Sequence, residues 1–312
     1  MVTRKPVLLV VVPCYNEAEV LRQTTERLLA VLGEMRDADG RILYVDDGSR
    51  DATWDMIKRL HAQNSRVLGI SLAHNSGHQN ALVAGMQTAV RCSDLIVTID
   101  ADLQDDETVI PDMVRLALEG NDIVYGVRSS RASDTWFKRT TAQAFYRLMS
   151  RMGVQTVYNH ADFRLMTRRA VESLLRYGER NLFLRGIVPL LGYRTAIVEY
   201  VRRNREAGES KYPLGKMLSL AFDGITSFSM TPLRLVLWLG IVFMAAAFGI
   251  AAWVVTCLLT QRAVTGWASL MLSVWLCGGC VLIGLGIVGE YIGKIYLEVK
   301  RRPRYNIKDE RL

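Results

Sequence analysis

Hydrophobic runs alternate with polar, helix-periodic stretches through the first 125 residues of the chain. Five short runs rich in β-branched residues predict buried strands at 7–12, 42–45, 67–72, 95–99 and 123–125. Between them, apolar residues recur at three- and four-residue spacing and predict helices at 19–32, 53–64, 79–91 and 109–119. Strands that alternate with helices indicate a parallel sheet with helices on both faces. The expected fold class is therefore α/β.

The last quarter of the chain carries its longest uncharged stretches. Residues 235–260 contain no charged side chain, and a second uncharged run covers 267–289. A helix over residues 235–260 would be about 39 Å long, which is enough to cross a bilayer. The pattern predicts a two-helix transmembrane hairpin, with spans at about 235–260 and 267–291 and an amphipathic juxtamembrane segment before them at 213–233.

Positive charge is concentrated beside these apolar stretches. The chain has a net charge of +8, of which residues 294–312 supply +4 and residues 1–233 only +3. By the positive-inside rule, this distribution predicts a multi-pass protein of the inner (plasma) membrane whose body and C-terminus both face the cytoplasm. Because the charge is juxtamembrane, membrane lipid with anionic headgroups is the expected partner and nucleic acid is not.

Polar residues follow the predicted strands at the sheet edge where open α/β sheets bind ligands. Asp100 and Asp102 flank Ala101 directly after the fourth predicted strand. In extended backbone, residues i and i+2 point to the same side, so the two carboxylates could hold one hard divalent cation, which in turn would bind phosphates. Strand-end loops at 13–17, 46–49 and 75–79 add aromatic, carboxylate and amide groups suited to a nucleoside.

Six motifs occur in order along the chain: VVPCYNEAE (11–19), YVDDGSRDAT (44–53), HNSGHQNALVAG (74–85), DADLQD (100–105), HADFRLMTRRA (160–170) and REAGESKYPLGKM (205–217). Together they resemble the family 2 glycosyltransferases, and among them the polyprenyl-phosphate glycosyltransferases. With the paired apolar stretches, the resemblance covers nearly the whole chain. It includes the bacterial prophage-type glucosyltransferases and the dolichyl-phosphate mannose synthases, and it implies a Rossmann-like, GT-A type domain that binds a nucleotide sugar.

The resemblance also implies roles for individual residues. Nucleotide-sugar binding is implied for residues at three strand ends, namely Pro13, Tyr15, Glu17, Val45, Asp46, Asp47, Asp100, Ala101 and Asp102. The implied metal site, for Mg²⁺ or Mn²⁺, comprises Asp100, Asp102 and Gln104. The implied catalytic residues are Arg128, which would contact phosphate, and Asp162 and Arg164, in the acceptor-side loop. The implied lipid-phosphate loop contains Arg205, Ser210, Lys211 and Tyr212.

The implied reaction moves one sugar, with inversion, from a nucleotide diphosphate sugar to polyprenyl phosphate for cell-envelope glycan modification. UDP-glucose is the first choice of donor, because the DFRLM segment resembles the prophage-type subgroup. GDP-mannose, UDP-N-acetylglucosamine and an aminoarabinose donor remain alternatives. A phosphate monoester has a second pKa of about 6, so the acceptor is ionised at neutral pH. Asp162 is therefore expected to position the sugar or act as a weak base, unless it caps a helix at 164–175.

Two other functions are weighed against this reaction. A processive polysaccharide synthase is disfavoured because the sequence lacks a Q-x-x-R-W motif. A non-enzymatic, membrane-anchored sugar-nucleotide sensor remains an alternative. Gly284, Gly286 and Gly289 match a dinucleotide-binding pattern but lie in an apolar stretch, so they predict close helix packing and permit a homo-oligomer. The expected domains are a catalytic body (1–212), the juxtamembrane segment (213–233), a membrane region (234–293) and a basic tail (294–312).

Overall fold

The structure is a computed structural model that describes residues 4–128, 160–179, 184–201, 231–260 and 266–312. The predicted lipid-phosphate loop, with Arg205, Ser210, Lys211 and Tyr212, lies outside the described residues, as does the juxtamembrane segment up to residue 230. The described residues fall into two units. One contains a sheet and includes residues 302–312, and the other is helical.

An eight-stranded mixed sheet forms the centre of the first unit. Its strands are β1 (Val7–Cys14), β2 (Asp39–Asp46), β3 (Val67–Leu72), β4 (Leu95–Thr98), β5 (Ile123–Arg128), β6 (His160–Thr167), β7 (Thr195–Tyr200) and β8 (Ile307–Arg311). Their order across the sheet is β7-β5-β6-β4-β1-β2-β3-β8. The four strands from β4 to β3 in this order are parallel, whereas β6 is antiparallel to both of its neighbours and β8 is antiparallel to β3.

Helices cover both faces of the sheet. They are α1 (Leu21–Glu34), α2 (Thr53–Gln63), α3 (His78–Ala89), α4 (Ile110–Leu118), α5 (Arg168–Leu175) and α6 (Leu184–Leu190), with a 3₁₀ turn at Glu107–Val109. Every residue of β1 is buried, as expected for a parallel strand covered on both sides. Helix α3 approaches closely because Gly85 has no side chain: a Cβ there would lie 2.3 Å from Cγ1 of Val11.

The five predicted strands and four predicted helices are confirmed, with ends that shift by a few residues. The five predicted strands run in one direction, whereas β6, β7 and β8 were not predicted, and β6 and β8 make the sheet mixed because they are antiparallel to their neighbours. The helix-cap alternative for Asp162 is also wrong, because Asp162 lies within β6 and the following helix begins at Arg168. Strand β8 occupies part of the segment that was expected to be only a basic tail.

The helical unit contains two long helices, α7 (Thr231–Leu259) and α8 (Trp267–Val299). They approach each other at Gly284, where a Cβ would lie 3.2 Å from Cγ1 of Val236. Within the described residues, one stretch is long and apolar enough to cross a membrane, Leu276–Val299, with a mean hydropathy of 1.7. The apolar stretch in α7, Val236–Ile250, is shorter. Large apolar side chains of both helices are exposed, among them Trp238, Phe248 and Leu282.

Candidate active site

The loops that follow β1 and β2 are fastened to each other at the carboxyl edge of the sheet. Asn16 adopts a left-handed φ of 55°, its N–H donates to Oγ of Ser49 (3.0 Å), and its Oδ1 accepts from the N–H of Arg50 (2.9 Å). The N–H of Glu17 donates to Oγ1 of Thr53 (2.9 Å). These contacts hold the loop on which the ring of Tyr15 is exposed to solvent.

The two aspartates at the end of β2, Asp46 and Asp47, are buried and hydrogen-bonded by the protein itself. Asp46 accepts from the N–H of Ser49 (3.0 Å) and the hydroxyl of Ser71 (2.7 Å). Asp47 accepts from the N–H groups of Ser76 (2.7 Å) and Gly77 (2.9 Å), and burial raises the pKa of Asp47 although these bonds oppose the change. Both carboxylates therefore shape the loops of the predicted nucleoside site.

Some predicted nucleotide contacts offer no side-chain surface. Val45 is completely buried, Pro13 is buried, and Ala101 is buried with its carbonyl oxygen accepting from the Thr24 hydroxyl at 3.0 Å. The Val45 side chain is part of the buried core of the sheet. Side-chain contacts with a nucleotide at this edge would come from exposed residues such as Tyr15.

The Asp100 and Asp102 carboxylates lie on a turn rather than on extended backbone. Strand β4 ends at Thr98, and the turn is closed by Leu103 with a left-handed φ of 57°. Asp102 accepts a hydrogen bond from the N–H of Gln104 at 3.2 Å. Burial raises the pKa of Asp100 to about 6, the charge of His78 opposes this shift, and the nearby carboxylates of Asp105, Asp162 and Asp102 add to it. The site therefore concentrates negative charge around Asp100.

A second carboxylate, that of Asp162, is enclosed by cationic groups. It is 7% exposed, and its oxygens lie 2.6 Å from Nη2 of Arg164, 3.1 Å from Nη2 of Arg185 and 3.5 Å from Nε2 of His78. Strand β6 brings Asp162 next to β4, where the Thr98 hydroxyl donates to the Asp162 carbonyl oxygen at 2.5 Å. The imidazole of His78 also lies 3.6 Å from Oδ1 of Asp100, so it joins the two carboxylates.

These contacts determine the protonation states around Asp162. Burial alone would raise the pKa of Asp162, but the hydrogen bond from His78 and the charges of Arg185 and Arg164 hold this pKa well below its usual range. Burial alone would lower the pKa of His78, but its contact with Asp162 and the charges of Asp100 and Asp162 raise this pKa. A carboxylate held ionised in this way is a poor proton acceptor.

Arg128 is the last residue of β5, and its guanidinium group lies next to the buried carboxylate of Asp105. Its Nη2 lies 3.5 Å from Oδ1 of Asp105 and its Nε donates to the hydroxyl of Tyr200 at 3.3 Å. The Tyr200 hydroxyl donates in turn to the buried Asp105 carboxylate. Because Tyr200 is paired with Arg128 across β5 and β7, the sheet itself positions this arginine. The Arg128 side chain is 24% exposed, so it can contact an anion.

The structure thus brings Asp100, Asp102, Arg128 and Asp162 to one edge of the sheet. The Arg164 side chain is buried against Asp162, and its predicted catalytic role stays a prediction. Among the described residues, no group of three or more His, Cys, Asp or Glu side chains could hold a metal ion. The sequence did not reveal Arg185, Tyr200 or the bridging position of His78, since their partners are distant along the chain.

The match to a known family agrees with this site. The model of glycosyl transferase family 2 matches residues 9–175, which include every strand-end loop described above. The chain belongs to glycosyl transferase family 2.

Relatives of this family 2 glycosyltransferase extend over nearly its full length. It is 52% identical over 310 residues to the Uncharacterized glycosyltransferase YkoT of Bacillus subtilis (strain 168), covering 97% of this chain and 91% of the relative. It is 40% identical over 300 residues to the Prophage bactoprenol glucosyl transferase homolog of Escherichia coli (strain K12), covering 96% and 97%. The similarity therefore includes the apolar C-terminal region.

Solved structures also resemble this family 2 glycosyltransferase, at lower similarity. Glucosyl-3-phosphoglycerate synthase from Mycobacterium tuberculosis, in complex with uridine-diphosphate, superposes with a TM-score of 0.47. The two sequences are 18% identical, and the superposition covers 72% of this chain and 79% of that one.

Proposed function

We propose that this glycosyltransferase transfers a hexose, glucose from UDP-glucose in the first instance, to polyprenyl phosphate. The observation that carries the proposal is the juxtaposition of the Asp100 carboxylate with Arg128, Asp162 and His78 at the carboxyl edge of the sheet. This edge combines groups for a metal-bound diphosphate with cationic side chains for phosphate oxygens. The 40% identity to a protein named bactoprenol glucosyl transferase homolog supports the polyprenyl phosphate acceptor.

The donor set suits Mg²⁺ or Mn²⁺. Asp100 and Asp102 would hold the cation, with Gln104 beside them, because hard cations prefer oxygen ligands. Magnesium commonly uses one or two carboxylates and takes its other ligands from water and substrate phosphates, so two carboxylates suffice. Burial raises the pKa of Asp100 to about 6 and the neighbouring carboxylates add to this shift, and a bound cation would offset both effects. When bound, the cation neutralises charge on the departing nucleoside diphosphate.

The acceptor requires little help from a base. A phosphate monoester is already largely ionised at pH 7, so it can attack the anomeric carbon directly and invert its configuration. This agrees with the low pKa of Asp162, which favours an anion that orders its neighbours over a proton acceptor. Arg128 would stabilise charge on the diphosphate, and the segment with Arg205, Ser210, Lys211 and Tyr212 would hold the lipid phosphate.

Membrane attachment brings this chemistry to a lipid acceptor. We propose that α7 and α8 cross the inner (plasma) membrane as a hairpin between the catalytic body and the C-terminal residues, both of which face the cytoplasm. The exposed apolar side chains of both helices support this arrangement, because such surfaces require lipid or protein cover. The juxtamembrane segment at 213–233 and the basic residues from 294 onwards would contact anionic headgroups.

The test is a transfer assay with purified full-length protein in detergent. Undecaprenyl phosphate, Mg²⁺ or Mn²⁺ and a panel of radiolabelled UDP-glucose, GDP-mannose, UDP-N-acetylglucosamine and UDP-aminoarabinose are supplied, and label is followed into the organic phase. We expect lipid label from UDP-glucose and its loss in the variants Asp100→Asn and Asp102→Asn. Asp112→Asn, an exposed aspartate on α4, is the matched control and should keep full activity.

The other possible results of the transfer assay distinguish the alternative donors, acceptors and functions. Lipid label from GDP-mannose alone would replace the proposed donor and retain the acceptor. Nucleotide release without lipid label would overturn the polyprenyl phosphate acceptor. Binding of sugar nucleotides without any turnover would favour a sensor. Full activity in both Asp100→Asn and Asp102→Asn would overturn the proposed metal site.

A further inference from the structure

Arg185 lies on α6 and belongs to none of the six sequence motifs. Its Nη2 lies 3.1 Å from Oδ2 of Asp162 and its Nε lies 3.4 Å from Oδ1. The Asp162 carboxylate also binds Arg164, whose side chain is 3% exposed, whereas the side chain of Arg185 is 37% exposed. One buried carboxylate therefore holds one arginine within the protein and a second at the surface of the site.

The surroundings of Arg185 are those of a phosphate-binding group. His78 connects the carboxylate partner of Arg185 to Asp100, with its Nε2 3.5 Å from Asp162 and 3.6 Å from Asp100. Arg185 is also close enough to Arg128 for the two positive charges to oppose each other. Separate buried carboxylates, Asp162 and Asp105, hold these two guanidinium groups. An anion beside both would relieve their repulsion, and arginine is well suited to phosphate oxygens.

We infer that Arg185 binds a phosphate group of a substrate and that Asp162 is the fixed anion that positions Arg185. The inference rests on the proposed function, which supplies two phosphate-bearing substrates, the sugar nucleotide and the polyprenyl phosphate. It gives Asp162 a role other than proton transfer. It also explains why Asp162 is paired with a half-exposed arginine as well as a buried one.

The test compares Arg185→Gln and Arg185→Lys with the control Arg169→Gln in full-length protein in detergent. Arg169 is a matched control because its Nε and Nη2 each lie 2.5 Å from a buried carboxylate, that of Asp122. The probes are UDP-glucose and uridine, whose dissociation constants are measured by calorimetry with Mg²⁺, and undecaprenyl phosphate, whose KM is measured by transfer. Thermal unfolding of each variant reports its stability.

We expect Arg185→Gln to weaken the binding of one phosphate-bearing substrate by about 10- to 100-fold, as for the loss of a charge-assisted hydrogen bond. Weaker binding of UDP-glucose with unchanged uridine affinity assigns Arg185 to the donor diphosphate. A higher KM for undecaprenyl phosphate with unchanged UDP-glucose affinity assigns it to the acceptor. Arg169→Gln should lower thermal stability and leave both constants unchanged.

Unchanged constants for both substrates in Arg185→Gln would overturn the inference, as would equal changes in the Arg169→Gln control. If Arg185→Gln does not fold, Arg185→Lys decides, because lysine keeps the charge but lacks the planar fork of donors. Unchanged constants in that variant would also overturn it. Failure of the proposed function has a different signature: the wild-type protein itself would neither bind UDP-glucose or GDP-mannose nor form lipid product.

Discussion

Asp100 and Asp162 are two carboxylates joined by one imidazole, yet their surroundings move their pKa values in opposite directions. Burial and neighbouring carboxylates raise the pKa of Asp100 to about 6, whereas His78, Arg185 and Arg164 overcome burial and keep that of Asp162 low. Opposed shifts of this kind assign different tasks to chemically identical groups. Asp100 is suited to exchanging a proton for a metal cation, and Asp162 to remaining charged.

The raised pKa of Asp100 predicts pH-dependent metal binding. Protons compete with the cation below pH 6, because Asp100 is then mostly protonated, and the competition becomes small by pH 7. We expect the affinity for Mn²⁺, measured by calorimetry with saturating UDP-glucose, to increase about fivefold between pH 5 and pH 6, to reach about tenfold by pH 7 and to level off above that pH. In Asp100→Asn the remaining affinity should lose most of this dependence. A wild-type affinity that is flat from pH 5 to pH 7 would contradict the prediction.

The candidate site was only partly predictable from sequence. Asp100, Asp102 and Arg128 follow strands whose apolar runs are clear, so their convergence at one edge could be predicted. The partners of Asp162 could not, because His78 and Arg185 lie on separate helices and meet it only through the fold. The burial of Arg164 was equally hidden, since a motif position gives no sign of how exposed its side chain is.

At the scale of elements, the strands that sequence patterns missed are those without long apolar runs. Strand β6 carries Asp162 and Arg164, a charged pair that is tolerated in the interior because the two side chains neutralise each other. Strand β8 has the sequence IKDER and lies at an edge, where charged side chains remain in solvent. Its pairing with β3 depends on backbone hydrogen bonds, which leave no hydrophobic pattern to recognise.

Strand β8 is expected to stabilise the sheet-containing unit by covering the edge of β3. Deletion of residues 307–312 removes backbone bonds that each contribute about 1 kcal/mol, so we expect the free energy of unfolding to fall by about 2–4 kcal/mol. The uncovered edge of β3 should also promote self-association. Deletion of Leu312 alone, which lies beyond β8, is the control. Thermal unfolding and light scattering in detergent measure both effects, and an unchanged midpoint with no association would contradict the role of β8.

At the scale of the whole molecule, the position of β8 constrains membrane topology. The described residues up to 201 and residues 302–312 belong to the same unit, in which β8 pairs with β3. A chain that leaves this unit and returns to it crosses a bilayer an even number of times, if it crosses at all. A single span over Leu276–Val299 would place β8 on the wrong side of the membrane from β3. The proposed hairpin of α7 and α8 meets this requirement, whereas one crossing does not.

This topology predicts which positions react with a membrane-impermeant maleimide. In a variant without the five native cysteines, we expect Val264→Cys, between α7 and α8, to be labelled in intact spheroplasts. Lys5→Cys and Leu312→Cys, near the two ends of the chain, should be labelled only after the membrane is permeabilised.

Labelling of Leu312→Cys but not Lys5→Cys in intact spheroplasts would require an odd number of crossings, which is incompatible with β8 in the sheet. Protection of all three would indicate that α7 and α8 do not expose their connection on the outer side, and the hairpin would be wrong. Since transfer to a lipid phosphate on the cytoplasmic face requires the catalytic edge on that face, the same labels decide whether the donor and the acceptor can meet there.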